Sequence, residues 1–307
     1  MALLFALASG VLFARTPKDK PTKHTAQARD VAEFTSRVDA ALSEAHAQKA
    51  FWGILVADRD TGKTIYELNA DRFFAPASNA KLFVTSLALS TLGPDYRYRT
   101  TLESKASLSA DGHLAGDLIL VGRGDPDLSN RKFPYDPKAD RDGVPEKALA
   151  DLADAVVAKG LKEVDGDIVA DDSYYPYDPY PAGWLTGDTF FSFGAPITAI
   201  DYNDNIIGVD VIPAAPTGDP AMIAAQPAAA RSGFDSEVVT GAPGAKPDLA
   251  VVRQPGPNFI LLRGTVPAGG QAVHLELAMT QPAETAGESL KELLESRGVV
   301  VHGAVRV

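Results

Sequence analysis

The order of hydrophobic and polar residues predicts a helix, a β-hairpin and a second helix in the first hundred residues. Hydrophobic residues at positions 31, 34, 38, 41 and 42 recur at helical spacing and form one face. Two β-rich runs within residues 51–69 flank the turn sequence DTGK, where glycine favours a tight reversal. Residues 81–92 are predominantly apolar and predict a buried helix that ends at the following Gly-Pro pair.

The remainder of the chain alternates predicted strands with two amphipathic helices, at 146–160 and 284–298. Residues 174–196 are rich in Tyr, Pro and Gly and predict irregular structure, and residues 213–248 predict loop with one strand. The chain ends on an apolar strand, 299–307, that needs neighbours, so the sequence looks as if it stops partway through a sheet. The other predicted strands are 96–104, 116–122, 162–173, 206–213, 249–254, 258–264 and 272–279.

Length and composition then narrow the class of protein. A chain of 307 residues predicts two or three modules, and 45% hydrophobic with 22% charged residues is typical of a globular protein. The net charge of −11 argues against a nucleic-acid partner and against basic docking on an anionic membrane. The chain has no cysteine, which excludes disulfides, cysteine-ligated zinc and thiol catalysis.

The first residues have the pattern of an export signal. Residues 2–14 form an apolar run that is too short to span a bilayer but has the length of a signal core. No positive charge precedes the run and no good cleavage site follows Gly10, so we interpret it as a signal with a shortened front, followed by a linker to residue 29. The alternatives are a non-cleaved anchor or a disordered tail. We therefore expect an exported, periplasmic or envelope-associated protein without a stable transmembrane span.

Candidate chemistry lies in the stretch FFAPASNAKLFVTSLAL, residues 73–89. Ser78 and Lys81 are three residues apart, so a helix presents both side chains on one face, and the lysine amine can reach the serine oxygen. A serine hydroxyl needs a base to become a nucleophile. Burial would favour the neutral amine, which can act as that base.

Two observations favour a structural interpretation of the same pair. Serine is a common helix N-cap and lysine is common on helix surfaces. The spacing also recurs at 129–132, Ser-Asn-Arg-Lys, in a loop without an apolar helix after it, and we interpret that second match as chance. The five histidines, at 24, 46, 113, 274 and 302, show no paired metal-ligand spacing, so the sequence predicts neither a metal site nor a cofactor.

The wider sequence around Ser78 resembles the class C low-molecular-mass penicillin-binding proteins, which are D-alanyl-D-alanine carboxypeptidases and endopeptidases. The resemblance rests on the segments DTGK, NAD, FxPASNxKL and LGPDYRY within residues 60–98, and it runs from about residue 30 to the last residue. Further along, GDLILVGRGDPDLS, VDGDIVADDS and FGAPITAIDYNDNIIGVDV match segments that distinguish this branch from β-lactamases.

The resemblance implies an α/β serine-acylating domain of the β-lactamase/transpeptidase type, with a large β-rich insertion after the active-serine helix. It implies the N-terminal part of the catalytic domain at 30–100, the insertion at 101–284 with a nested module near 190–255, and a return at 285–307. Ser78 would be the nucleophile and Lys81 the general base. The expected partners are peptidoglycan peptides ending in D-Ala–D-Ala, with β-lactams as acylating inhibitors.

The sequence departs from the family pattern in lacking two motifs. No Ser-x-Asn and no Lys-Thr-Gly occurs in the 307 residues, and both are expected beyond the point where this chain ends. Arg231-Ser232-Gly233 has the chemistry of the second motif but lies inside the predicted insertion. Three hypotheses follow: a D,D-peptidase, a catalytically inactive wall-binding protein, and a generic serine hydrolase such as a β-lactamase or esterase, which the insertion disfavours.

Overall fold

A computed structural model describes residues 28–132, 134, 136, 141–253 and 260–307. The signal-like run at 2–14 lies outside these residues, so its prediction stays untested. The contacts divide the chain into two compact units, Met1–Pro94 and Asp95–Val307. The predicted domain boundaries stay predictions; in the structure residues 285–307 belong to the second of these units.

The first unit contains α1 (Ala28–Leu42), strands β1 (Ile54–Ala57) and β2 (Thr64–Leu68), and α2 (Ala80–Leu92). The two strands pair antiparallel across a turn in which Gly62 has a φ of 70°, so the predicted hairpin is confirmed. Helix α2 is confirmed at the predicted position, but the predicted burial is wrong, because none of its residues is buried. The short hairpin and the single helix α1 offer too little apolar surface to cover it.

The second unit is built from short sheets and two helices. Its first elements are β3 (Thr101–Glu103), β4 (His113–Leu114), β5 (Leu118–Val121), β6 (Asp125–Leu128), α3 (Lys147–Ala158), β7 (Glu163–Val164) and β8 (Ile168–Asp171).

The later elements follow the predicted pattern with two omissions, Ile200–Tyr202 and Met222–Gln226. They are β9 (Ile200–Tyr202), β10 (Ile206–Ile212), β11 (Met222–Gln226), β12 (Phe234–Gly241), β13 (Asp248–Arg253), β14 (Ile260–Pro267), β15 (Val273–Ala278), α4 (Pro282–Ser296), β16 (Val300–Val301) and β17 (Val305–Arg306). Strand β11 was not predicted, because its sequence MIAAQ has one β-branched residue and lies in an Ala-rich segment. The terminal strand is divided, since β16 and β17 join different sheets.

The strands of the second unit form several small sheets. Strands β5 and β8 pair in parallel at the centre of a four-stranded sheet in the order β17-β8-β5-β3, and β7 is central in the sheet β16-β7-β4. Three-stranded sheets β11-β10-β15 and β12-β14-β13 and the pair β6-β9 complete the unit.

The core of the second unit forms where α4 packs on α3, β8 and β9. Leu290 and Leu294 of α4 are fully buried with Leu149 of α3 and Ile168 of β8. At about 25 cal/mol per Å² of apolar surface, such side chains each contribute roughly 2 kcal/mol or more. The packing of α4 holds β8 and β9 in place, and the acidic residues described below lie in or just after these two strands.

Among the described residues, no helix has both the length and the apolar character that crossing a bilayer requires.

Candidate active site

The predicted nucleophile lies in a tight turn at the start of α2. Ser78 is the middle residue of a 3₁₀ turn, Ala77–Asn79, and the α-helix begins at Ala80. Ala77 has a φ of 45°, which is a left-handed conformation that alanine rarely adopts and that costs about 1–2 kcal/mol. Backbone strain of this kind clusters at functional sites, which makes the turn a candidate site.

The Lys81 amine lies directly against the Ser78 hydroxyl. Lys81 Nζ donates a hydrogen bond to Ser78 Oγ over 3.0 Å, which is within the range for direct proton transfer. The N-cap position of α2 is Asn79, and its side chain makes no capping hydrogen bond. The Ser78 hydroxyl is therefore engaged with the lysine, and the alternative of a serine cap followed by an unconnected surface lysine does not describe this turn.

Both side chains of the pair are exposed. The desolvation that would favour a neutral Lys81 is therefore not provided by the described residues around it. Helix α2 continues the exposed surface: Leu82, Phe83 and Leu87 each keep at least 65% of their accessible area. The pair thus lies at the edge of an exposed apolar surface.

Aromatic packing supports the turn from the side of the hairpin. The rings of Phe51 and Phe74 stack with centroids 5.4 Å apart. A Cβ atom at Gly53 would lie 2.3 Å from the Phe74 ring, so only glycine leaves room for this arrangement. Asn69 Nδ2 donates to the carbonyl oxygen of Trp52 over 2.8 Å and so ties the end of β2 to the residue before Gly53.

The second Ser-x-x-Lys match has a structural role in its turn. Ser129 is buried, and its hydroxyl donates to Asp127 Oδ1 over 3.3 Å and accepts from the backbone N–H of Arg131 over 3.2 Å. No contact between Ser129 and Lys132 is found in the described part of the chain. The side chains of residues 231–233 lie outside the described residues, and their backbone belongs to the 3₁₀ turn Ala228–Gly233 of the second unit.

The segment DYNDN, which carries part of the resemblance, forms a buried left-handed turn. Asn203, Asp204 and Asn205 all have φ between 52° and 57°. Asn205 Oδ1 accepts from the Tyr202 N–H, and Asn205 Nδ2 donates to the Pro196 carbonyl and to Thr198 Oγ1, each over 2.9 Å. Asn and Asp tolerate this conformation better than other non-glycine residues, so the segment is structural and supplies no catalytic asparagine.

Asp201 precedes that turn and carries a buried carboxyl group. Its Oδ1 atom has no hydrogen-bond partner in the described structure. Burial and the neighbouring Asp204 raise the pKa of Asp201 to about 7. Arg131 opposes this rise, but its guanidinium binds Asp204 through contacts of 2.7–3.0 Å. Sequence analysis did not identify Asp201, because an alternating strand pattern gives no signal for an unpaired carboxylate.

The paired acids Asp171 and Asp172 serve the backbone. Asp172 Oδ1 accepts from the N–H groups of Ala199 and Ile200 over 2.6 and 2.9 Å, and burial raises the pKa of this half-buried carboxyl. Asp171 Oδ1 accepts from Ser173, and this hydrogen bond lowers the pKa of Asp171. These contacts connect β8 to β9.

Three of the histidines meet carboxylates that are distant in sequence. His113 contacts Asp165 over 2.9 Å, His302 contacts Glu163 over 2.8 Å, and His274 contacts Asp210 over 2.7 Å. The hydrogen bond that His113 donates to the Asp165 carboxylate raises the pKa of His113. Sequence spacing could not predict these pairs, because they form between neighbouring strands.

Comparison with known proteins identifies the family to which the chain belongs. The model of the D-Ala-D-Ala carboxypeptidase 3 (S13) family matches residues 34–307. The D-alanyl-D-alanine carboxypeptidase of Actinomadura sp. (strain R39) is 31% identical over 291 residues, which cover 93% of this chain and 51% of that protein. DacB of Haemophilus influenzae is 27% identical over 153 residues, which cover 50% of this chain and 28% of that protein.

Solved structures show the same fold. Penicillin-binding protein 4 (dacB) from H. influenzae superposes with a TM-score of 0.67 and 23% identity, over 82% of this chain and 52% of that one. Its complex with a β-lactam gives a TM-score of 0.58. The predicted fold class, mixed α/β of the penicillin-binding type, is confirmed. The chain spans about half the length of the Actinomadura relative and of the H. influenzae structure.

Proposed function

Because the chain belongs to the D-Ala-D-Ala carboxypeptidase 3 (S13) family, we propose that it carries the acylated serine of a peptidoglycan D,D-peptidase. The substrate is a stem peptide ending in D-Ala–D-Ala, or a peptide cross-link in the endopeptidase reaction. The observation that carries the proposal is the 3.0 Å contact between Lys81 Nζ and Ser78 Oγ at the start of an apolar helix.

The reaction begins when Ser78 Oγ attacks the carbonyl carbon of the penultimate D-Ala. A neutral Lys81 amine accepts the hydroxyl proton as the new C–O bond forms, which requires the hydrogen bond to run from Ser78 to Lys81. The proton then passes to the departing amine of the terminal D-Ala, and an ester of Ser78 remains. Water hydrolyses the ester and regenerates the hydroxyl. A β-lactam acylates the same oxygen when its ring amide opens.

The two motifs absent from these residues supply other parts of this chemistry in the family. A Ser-x-Asn serine relays the leaving-group proton, and a Lys-Thr-Gly strand docks the substrate carboxylate and donates to the oxyanion. Loss of one oxyanion donor costs about 100- to 1000-fold in rate. We therefore expect the 307 residues alone to acylate slowly and to turn over substrate more slowly still.

Covalent labelling with a tagged penicillin, followed by peptide mass mapping, tests the proposal. We expect the adduct on Ser78, with the other Ser-x-x-Lys serine, Ser129, as an internal control that stays unmodified. Lys81→Ala should lower the labelling rate by about 100- to 10 000-fold. Lys81→Arg should lose rate equally, because arginine keeps the charge but does not release its proton.

The comparison of Lys81→Arg with Lys81→Ala distinguishes a general base at position 81 from a positive charge that acts by electrostatic attraction alone. Full activity in Lys81→Arg would mean that only the positive charge matters. No adduct on Ser78 after prolonged incubation with excess label, or an adduct that persists in Ser78→Ala, would refute the assignment. Rapid stoichiometric labelling of the wild-type chain would refute the expected slow rate.

A second candidate is a wall-binding protein of the same fold without catalysis. It is favoured by the exposure of both Ser78 and Lys81 in the described structure. Co-sedimentation with purified peptidoglycan distinguishes the two. The binding protein predicts that Ser78→Ala binds as the wild type does and that neither protein forms an adduct with penicillin.

We also propose that the protein acts outside the cytoplasmic membrane, since its substrate is found there. The support is the apolar run at 2–14, whose length fits a signal core. Fusion of residues 1–29 to a reporter that folds only after export tests this. An inactive fusion would contradict it.

A further inference from the structure

One surface of the second unit brings metal-ligating side chains together from separate parts of the sequence. His113 lies on β4 directly opposite Glu163 of the parallel strand β7. Asp165 follows Glu163 by two residues and therefore points to the same face. One ligand atom from each of His113, Glu163 and Asp165 lies within 4.8 Å of the others, and this is the single group of three or more such residues in the described chain.

A second imidazole approaches the group from the other side of β7. Strand β16 pairs in parallel with β7 so that Val300 lies opposite Glu163, and the chain then places His302 beside it. His302 Nε2 is 2.8 Å from Glu163 Oε1, while His113 Nε2 is 2.9 Å from Asp165 Oδ1. The cluster therefore offers two imidazoles and two carboxylates across three adjacent strands.

The backbone holds these side chains in place. Asp165 N–H donates to the Leu114 carbonyl, and His302 N–H donates to the Val164 carbonyl, each over 3.0 Å. Leu114 and Val164 are buried in the core, at 4% and 0% exposure, and each is next to a residue of the cluster. The polar side chains of the cluster project to the surface, while the alternate residues Leu114 and Val164 are buried and hold the backbone in place.

We propose that His113, Glu163 and Asp165 bind a divalent transition-metal ion, Zn²⁺, with His302 holding Glu163 in place. Imidazole with carboxylate suits Zn²⁺ better than it suits the oxygen-ligated Mg²⁺ or Ca²⁺. Zinc bonds of about 2.0–2.1 Å place two ligands of a tetrahedral site about 3.3 Å apart. The 2.9 Å contact between His113 and Asp165 is close to that separation, and the Glu163 ligand atom lies within 4.8 Å of both, so side-chain movements of about 1–2 Å bring the three ligands to an ion.

Charge around the cluster also favours a cation. The carboxylates of Asp111, Glu163 and Asp165 all lie close to the His113 imidazole, and Lys162 is a lysine close to Asp111. Strands β4, β7 and β16 contain two residues each, so few backbone hydrogen bonds connect them. A metal ion at this position would link β4 to β7, and the contact of His302 with Glu163 would connect the chain after β16 to the same site.

Zinc titration of the untagged, chelator-treated full chain by calorimetry tests the site. We expect one ion at this cluster, with the dissociation constant raised at least about 10-fold in His113→Ala and in Glu163→Gln. His302→Gln should raise it less if His302 only orients Glu163. His274→Ala is the matched control, because His274 and Asp210 form a similar exposed pair at 2.7 Å without a third ligand.

Two results would overturn the proposal: no zinc binding by the wild-type chain, or binding that His113→Ala leaves unchanged or that His274→Ala weakens equally. A thermal scan of each metal-free variant shows whether it folds. For a variant that does not, the wild type decides alone: Co²⁺ added to the chain must give the visible spectrum of nitrogen and oxygen coordination and raise the unfolding temperature. Absence of both changes refutes the site.

Discussion

The buried carboxyl of Asp201 makes the stability of the second unit depend on pH. Asp201 lies between Ile200 and Tyr202, which are 1% and 0% exposed, and its Oδ1 atom finds no partner in the described structure. Burial is the largest cause of its raised pKa, followed by repulsion from Asp204 and Asp125. Replacing it with asparagine keeps the shape of the side chain and removes the titration.

The raised pKa of Asp201 determines whether stability rises or falls with pH. The pKa rises from 3.8 in the unfolded chain to about 7 in the folded protein, so the folded state binds the proton more tightly. The protonation of Asp201 therefore contributes its full stabilisation of the folded state below about pH 4, and this contribution is lost as the pH rises to about 7. At about 1.4 kcal/mol per pKa unit, the loss is on the order of 4 kcal/mol.

Urea unfolding of wild type and Asp201→Asn from about pH 4 to about pH 8 measures this difference. Trp184 reports on the second unit when Trp52, the other tryptophan, is replaced by phenylalanine. We expect the two proteins to have similar stability near pH 4 and the variant to be more stable by up to about 4 kcal/mol near pH 8. Because both proteins contain the same histidines, the histidine contributions cancel when the two free energies of unfolding are subtracted.

Asp219→Asn is the control, because Asp219 is an exposed carboxylate in the same unit. It should leave the pH dependence unchanged. Parallel pH profiles for wild type and Asp201→Asn would show that Asp201 ionises normally in the folded protein. A variant less stable than wild type near pH 8 would show that the ionised carboxylate makes a favourable contact, and either result refutes the reasoning.

Two further predictions concern backbone strain. Asn205→Ala should destabilise the second unit by about 3 kcal/mol, because three side-chain hydrogen bonds are lost and alanine is strained at a φ of 53°. Asn205→Gly should cost about 1 kcal/mol less, and equal losses in urea unfolding would mean that strain contributes nothing. Ala77→Gly should stabilise the first unit by about 1 kcal/mol and Ala77→Val should destabilise it, because the φ of 45° suits glycine. Trp52 fluorescence in a Trp184→Phe background measures this, and a stabilising valine would contradict it.

Local sequence signals predicted the elements that depend on local interactions. The helices α1 to α4 and the hairpin follow from periodicity and turn residues. The contact between Ser78 and Lys81 was predictable for the same reason, since one turn of helix determines it. The resemblance added what periodicity could not, namely the fold, which the match to penicillin-binding protein 4 confirms.

Features that depend on distant residues could not be predicted. His113 and Glu163 are 50 residues apart in the sequence, and Glu163 and His302 are 139 residues apart. The pairing of neighbouring strands brings these three residues together. The apolar sequence of α2 predicted burial, but burial depends on a covering surface and not on the helix itself. The role of DYNDN as a left-handed turn required the φ angles of three successive residues.

The packing of Phe74 on Gly53 limits natural variation at a position that looks unconstrained. Gly53 is exposed and precedes β1, so a survey of surface positions would class it as freely variable. Any larger residue would push the Phe74 ring from Phe51 and shift the segment that leads to Ser78. A library that randomises Gly53 would therefore alter the support of the Ser78 turn through a residue that lies outside the candidate pair.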